Sequence, residues 1–142
     1  MVVCFDSYIQ KWTNWKERQK ESERAMGILG AEVEFLGLSD KDDNEKDLKE
    51  AMSYYKPDIA WASTGSHKHH EWVGEVAEKL WKNVILYPTY EGGDFHTKGR
   101  IVITPTEEEI ELKNEALDCY KSQLVKNKQH FDAVRGKPEW YV

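Results

Sequence analysis

The sequence predicts a single α/β layer domain with a mainly parallel sheet, and three observations lead there. Short apolar runs of strand length alternate with longer stretches of helical periodicity. Gly, Pro and capping residues punctuate the joints between them. The 142 residues, 39% hydrophobic and 12% aromatic, suffice for one ordinary core and are unlike a disordered tail. Strands separated by helices imply βαβ units, hence parallel strands covered by helices on both faces.

Val2 to Phe5 form an apolar run that reads as a buried strand, beginning with neither helix nor loop ahead of it. The sheet is therefore expected to lack an early neighbour. Residues 14–29 follow as a helix, with Trp15, Arg18, Ser22, Met26 and Leu29 at helical spacings and Gly30 as its stop. Charged and apolar residues alternate over 32–36, as in an exposed or edge strand. An acidic loop over 39–44 leads to Asn44, a cap for a helix over 45–55 that Lys56-Pro57 ends. The next strand is Asp58-Ile59-Ala60-Trp61-Ala62. A helix over 70–82 gathers Trp72, Val73, Val76, Ala77, Leu80 and Trp81 on one face, and a strand over 84–87 follows. Gly92-Gly93 marks a loop and residues 100–104 a further strand. Thr106 and Glu109 form a capping box opening a helix that runs to about Leu124. The polar tail over 126–142 is expected to be irregular, with Phe131, Trp140 and Tyr141 docking it. No internal repeat or interdomain linker interrupts residues 1–142.

Composition excludes several function classes. A net charge of −6, from 26 acids and 20 bases, disfavours non-specific nucleic-acid binding, and no basic stripe opposes it. The apolar stretches are too short to span a bilayer, and the first residues lack the basic start and long apolar core of a secretion signal. Cys4 and Cys119 match no metal knuckle and read as small buried side chains in a reducing compartment, so a cytoplasmic location is expected.

Chemistry concentrates at Ser66-His67-Lys68-His69-His70, which holds three of the five histidines. It sits between a predicted strand and a predicted helix, the carboxyl edge of an α/β sheet where ligands bind. His67 and His70 stand at i, i+3, so a helix starting near His67 would present both rings on one face of its amino end. The partial positive charge there keeps imidazole neutral, as a metal ligand must be. The pair reads either as part of a zinc site or as a polar helix start bonding backbone; a catalytic zinc needs at least one more ligand. Asp6, at the carboxyl end of the first strand, is a candidate ligand, base or substrate contact, or a turn former. Asp40, Asp42, Asp43 and Asp47 lack the Gly and closing Glu of a calcium loop. Gly92-Gly93-Asp94-Phe95-His96 reads as a substrate-contacting or merely flexible turn, and His130 as a surface residue. Neither a serine-hydrolase elbow nor a Walker or dinucleotide glycine loop is present.

Several segments, taken in order, resemble one family. Arg18-Gln19-Lys20-Glu21 through Ala25 to Leu29-Gly30 is similar to an Arg-x-x-Glu-x-x-x-Ala helix ending in Leu-Gly. Phe35-Leu36-Gly37-Leu38-Ser39-Asp40, Lys56-Pro57-Asp58-Ile59 and His67-Lys68-His69-His70-Glu71-Trp72-Val73-Gly74 resemble the stretches that follow it. Lys113, Ala116-Leu117 and Tyr120-Lys121-Ser122-Gln123 are similar to its Lys-x-x-Ala-Leu-x-x-Tyr-x-Ser-Gln helix. Over residues 1–136 the chain thus resembles the LmbE-like, or GlcNAc-phosphatidylinositol-type (PIG-L), de-N-acetylases, which are Rossmann-like zinc hydrolases. The resemblance implies a three-layer Rossmann-like domain and a metal-dependent hydrolase removing acetyl from an N-acetylated sugar or glycoconjugate. It implies that His70 binds zinc, that His67 stabilises the oxyanion or protonates the leaving amine, and that Arg18 contacts substrate. Zinc would polarise the acetyl carbonyl and activate water, with a carboxylate as base.

Two departures bear on that expectation. Lys68 and His69 stand where the family has Pro and Asp. The family's first motif, His-Pro-Asp-Asp-Glu, supplies two zinc ligands and the base, ahead of the segment matching Val2 to Phe5, and it does not occur in this sequence. The expected sheet therefore lacks its first strand, and the expected metal site is incomplete in this chain, as in a truncated or split enzyme. The expected partners are the acetylated sugar and either a separate amino-terminal polypeptide or a second copy. The alternative is a non-catalytic α/β binding module that has lost its metal.

Overall fold

Two parallel strand pairs, each bridged by a helix, organise the protein. The computed structural model describes residues 2–6, 15–39, 45–65, 68–88, 101–135 and 139–141. In order these form β1 (Val2–Asp6), α1 (Trp15–Ile28), β2 (Glu34–Ser39), α2 (Glu45–Met52), β3 (Ala60–Thr64), α3 (Lys68–Leu80), β4 (Val84–Pro88), β5 (Ile101–Ile103), α4 (Glu107–Asp118), α5 (Lys121–Val134) and β6 (Glu139–Tyr141). Strand β1 pairs in parallel with β2, β3 pairs in parallel with β4, and β5 with β6 makes a third two-stranded sheet. The chain is thus mixed α/β with parallel pairing, as the alternation of periods predicts. Among the described residues no helix is long and apolar enough to cross a membrane.

The fold divides into two compact units, residues 1–41 with 104–139 and residues 42–103 with 140–142. In the first, α1 packs against α4 and α5. Its fully buried α1 positions are Glu21 and Ala25. Trp15, Arg18, Ser22 and Met26 are half-buried, whereas Leu29 is 47% exposed, contrary to its place in the predicted stripe. The helix ends one residue earlier, and the chain turns away there. The Ala31 amide donates to the Met26 carbonyl and the Gly30 amide to that of Gly27, the Schellman pattern that Gly30 (φ 65°) permits.

Strand β2 begins and ends later than its alternation suggests, and it carries an extra residue. Val3 pairs with Phe35, but Phe5 pairs with Leu38. Gly37, at φ 70°, absorbs the bulge in a conformation that other residues resist.

In the second unit, α3 lies over the β3–β4 pair and against α2. Leu48 and Met52 of α2, Ala60 and Ala62 of β3, and Val76 and Ala77 of α3 are buried. The entrances of the two strands are stitched together. Ala60 N–H donates to the Asn83 carbonyl at 2.9 Å, and Asn83 Nδ2 donates to the Asp58 carbonyl at 3.0 Å. Trp81 Nε1 donates to the Tyr55 carbonyl at 3.0 Å, fixing the end of α3.

The carboxyl-terminal part departs most from expectation. The Thr106–Glu109 capping box is present, with Glu109 N–H donating to Thr106 Oγ1 at 3.2 Å and Thr106 N–H to Glu109 Oε2 at 2.7 Å. The helix it opens ends at Asp118, and the tail expected to be irregular is helical from Lys121 to Val134. At the break, the Cys119 and Tyr120 amides reach back three residues to the carbonyls of Ala116 and Leu117, and Tyr120 leaves helical conformation at ψ 52°. Tyr120 and Phe131 rings, 6.2 Å apart, and an Arg135–Asp118 ion pair hold the two helices together.

Candidate functional site

The histidine stretch lies at a strand-to-helix junction, as the sequence indicates. Strand β3 runs Ala-Trp-Ala-Ser-Thr, Gly65 follows, and α3 opens at Lys68, two residues ahead of the expected start. His70 is the third residue of α3 and half-buried. Its carbonyl receives a long 3.4 Å hydrogen bond from Ser63 Oγ, itself on a 6% exposed residue of β3. The first turn is held by its own aromatic residue. Lys68 Nζ lies 4.3 Å from the centre of the Trp72 ring, and the His69 ring packs tilted beside it at 5.8 Å. His69 thus has a packing role. His67 lies outside the described residues, so its predicted place beside His70 does too.

Close contact between helix and strand sets the position of that turn. A Cβ at Gly74 would stand 2.7 Å from the Ser63 carbonyl oxygen and 3.4 Å from Leu86 Cδ2. Only glycine lets α3 approach β3 this closely. The glycine that follows the histidine stretch in α3 therefore has a packing reason.

Asp6 ends β1, paired with Ser39, at the carboxyl edge anticipated for it. Arg18 and Asp6 belong to the first unit, His70 to the second. The half-buried Arg18 side chain has its Nη1 atom out of contact with solvent and without a hydrogen-bond partner. Asn114 Oδ1 is the other such atom among the described residues. The acidic loop over 40–44 and the Gly92–His96 turn lie outside the described residues.

One group went unassigned in the sequence. Glu21, 3% exposed on α1, accepts from the Ser122 backbone N–H at 2.7 Å (Oε1) and from Ser122 Oγ at 2.6 Å (Oε2). Gln123, 8% exposed, donates from Nε2 to Ser122 Oγ at 3.2 Å. The two segments are 101 residues apart in sequence. An acid three residues after Arg18 and four before Ala25, on the same face of the helix as both, was the available signal.

Among the described residues no group of three or more His, Cys, Asp or Glu side chains could hold a metal ion. His70 alone does not fit zinc, which takes three protein ligands in a catalytic site. No family model, curated protein or solved structure matches the chain at a significant level.

Proposed function

We propose that this chain is the substrate-holding part of an LmbE-like de-N-acetylase with a three-layer Rossmann-like fold. It would act on an N-acetylated amino sugar or its glycoconjugate. Arg18 would contact the substrate, and Asp6 would be a further substrate contact. His70 would offer one imidazole to a zinc ion, and His67 would meet the oxyanion or the leaving amine. The remaining ligands and the base would come from a polypeptide bearing the His-Pro-Asp-Asp-Glu motif, because this sequence contains none.

The observation that carries this reading is the unpartnered, buried Nη1 of Arg18. A buried guanidinium nitrogen left unsatisfied costs about 1–3 kcal/mol or more, so a ligand carbonyl, hydroxyl or anion that fills the vacancy gains from it. Support also comes from the resemblance stretches, whose residues take defined places: Glu21 with Ser122, Gly37 at the bulge and Gly74 against β3.

Calorimetric titration of the chain with N-acetylglucosamine tests it. Arg18→Gln is expected to weaken binding by tenfold or more, about the worth of a hydrogen bond to a charged group. Unchanged affinity would remove Arg18 from the site.

The alternative is a non-catalytic α/β binding module, and what favours it is that no group of three or more His, Cys, Asp or Glu side chains among the described residues could hold a metal ion. Zinc titration separates the two. The chain alone is expected to bind zinc weakly. Mixed with a polypeptide bearing the missing motif, it should bind stoichiometrically, lose that binding on His70→Ala, and release acetate from the sugar. If the mixture neither binds zinc tightly nor releases acetate, the non-catalytic reading stands.

A further inference from the structure

We infer that Ser122 is a positioning residue that keeps Arg18 open to ligand by holding the Glu21 carboxylate; this rests on the reading of Arg18 as a ligand contact. Arg18 and Glu21 stand at i, i+3 on α1, and side chains so spaced are neighbours on a helix surface. A half-buried guanidinium one turn from a buried carboxylate ordinarily becomes an ion pair. Here both Glu21 oxygens are engaged by Ser122, and Arg18 Nη1 is left without a partner.

The reason lies at the start of α5. Its backbone bonding starts with the Gln123 and Leu124 amides, both donating to the Tyr120 carbonyl, so the Ser122 amide precedes it, and the N-cap residue Tyr120 provides no side-chain hydrogen bond. Ser122 is the second residue of α5, so its N–H belongs to the positive end of the helix, where a carboxylate is favoured. Glu21 supplies the missing cap from another helix. Gln123 Nε2 donates to Ser122 Oγ, which directs the hydroxyl proton toward Glu21 Oε2. The hydroxyl accepts one bond and donates the other, so the two bonds from Ser122 fix the Glu21 carboxylate at the start of α5, and Arg18 Nη1 makes no bond to it.

Ser122→Ala removes one of the two bonds and frees Oε2. The carboxylate then competes with ligand for Arg18. Adding Glu21→Gln removes the charge that drives this competition, so the double variant should recover what the single one loses.

The test uses the full chain, N-acetylglucosamine as probe, and nitrogen-15 resonances of the Arg18 guanidinium. Without ligand, Ser122→Ala should shift those resonances toward an ion-paired state, and Ser122→Ala with Glu21→Gln should return them. With ligand, Ser122→Ala should weaken binding about tenfold, Ser122→Thr should bind as the parent does, and the double variant should bind again. Should Ser122→Ala fail to fold, Ser122→Cys, similar in volume but a poor donor, carries the same expectation. Unmoved Arg18 resonances in the single variant, or a double variant that binds more weakly still, would overturn the inference and leave Ser122 a purely structural cap. If the resonances shift and revert while the parent chain fails to bind the sugar, the tether stands and the sugar-contact reading of Arg18 falls.

Discussion

Gly74 occupies a position where one methyl group has no room, because its nearest neighbour is a backbone oxygen that cannot rotate away. Gly74→Ala is expected to destabilise the chain by about 1–3 kcal/mol, read from the midpoint of denaturant unfolding. Leu48 is the opposite case: fully buried on α2, it would leave a cavity. Leu48→Ala should cost about 2–5 kcal/mol by the same measurement. Glu109 adds a pH dependence. The Thr106 backbone N–H, and secondarily its hydroxyl, hold the Glu109 carboxyl below its ordinary range. A carboxyl depressed on folding stabilises above its unfolded value, about 4.3, and loses that contribution as pH falls through the lower folded value. The first turn of α4 should therefore fray in acid, and Glu109→Gln should flatten that dependence in amide-exchange measurements across α4.

At the scale of elements, the break between α4 and α5 shows where a pattern stops being informative. Residues 119–120, Cys and Tyr, contain neither Gly nor Pro, and apolar residues continue on both sides. The second helix starts because Glu21, far away in sequence, caps it. Glu21→Ala is expected to cost about 1.5–3 kcal/mol and to speed exchange of the amides over 121–124 more than those over 107–118. The elements that were legible owed their form to local chemistry. Gly30 ends α1, the Thr106–Glu109 box opens α4, and the apolar runs became β3 and β4 with boundaries moved by one to two residues. Those that were not legible, the bulge in β2 and the helical tail, depend on partners from elsewhere in the chain.

For the whole molecule, the alternation of strand and helix was enough for the α/β class, since parallel pairs follow from helical crossovers. The candidate site was legible in part. The histidine stretch and Asp6 stood out because strand ends are where α/β chains place chemistry, and β3 and β1 put them at such ends. The Glu21–Ser122 bond was hidden because no spacing rule links residues 101 apart. The excess of acidic residues also belongs to this scale: at a net charge of −6 the chain should leave the fluorescence anisotropy of labelled duplex DNA unchanged at physiological salt.

The bulge at Gly37 gives β2 one residue more than β1 over the same stretch of ladder. Phe35 and Leu38 are three residues apart, yet their partners Val3 and Phe5 are two apart. Removing Gly37 would make the two spacings equal, so Leu38 and Ser39 could keep Phe5 and Asp6 as partners in a regular ladder. Deletion of Gly37 should therefore be tolerated better than insertion of one more residue there, which would carry Leu38 and Ser39 out of register with Phe5 and Asp6.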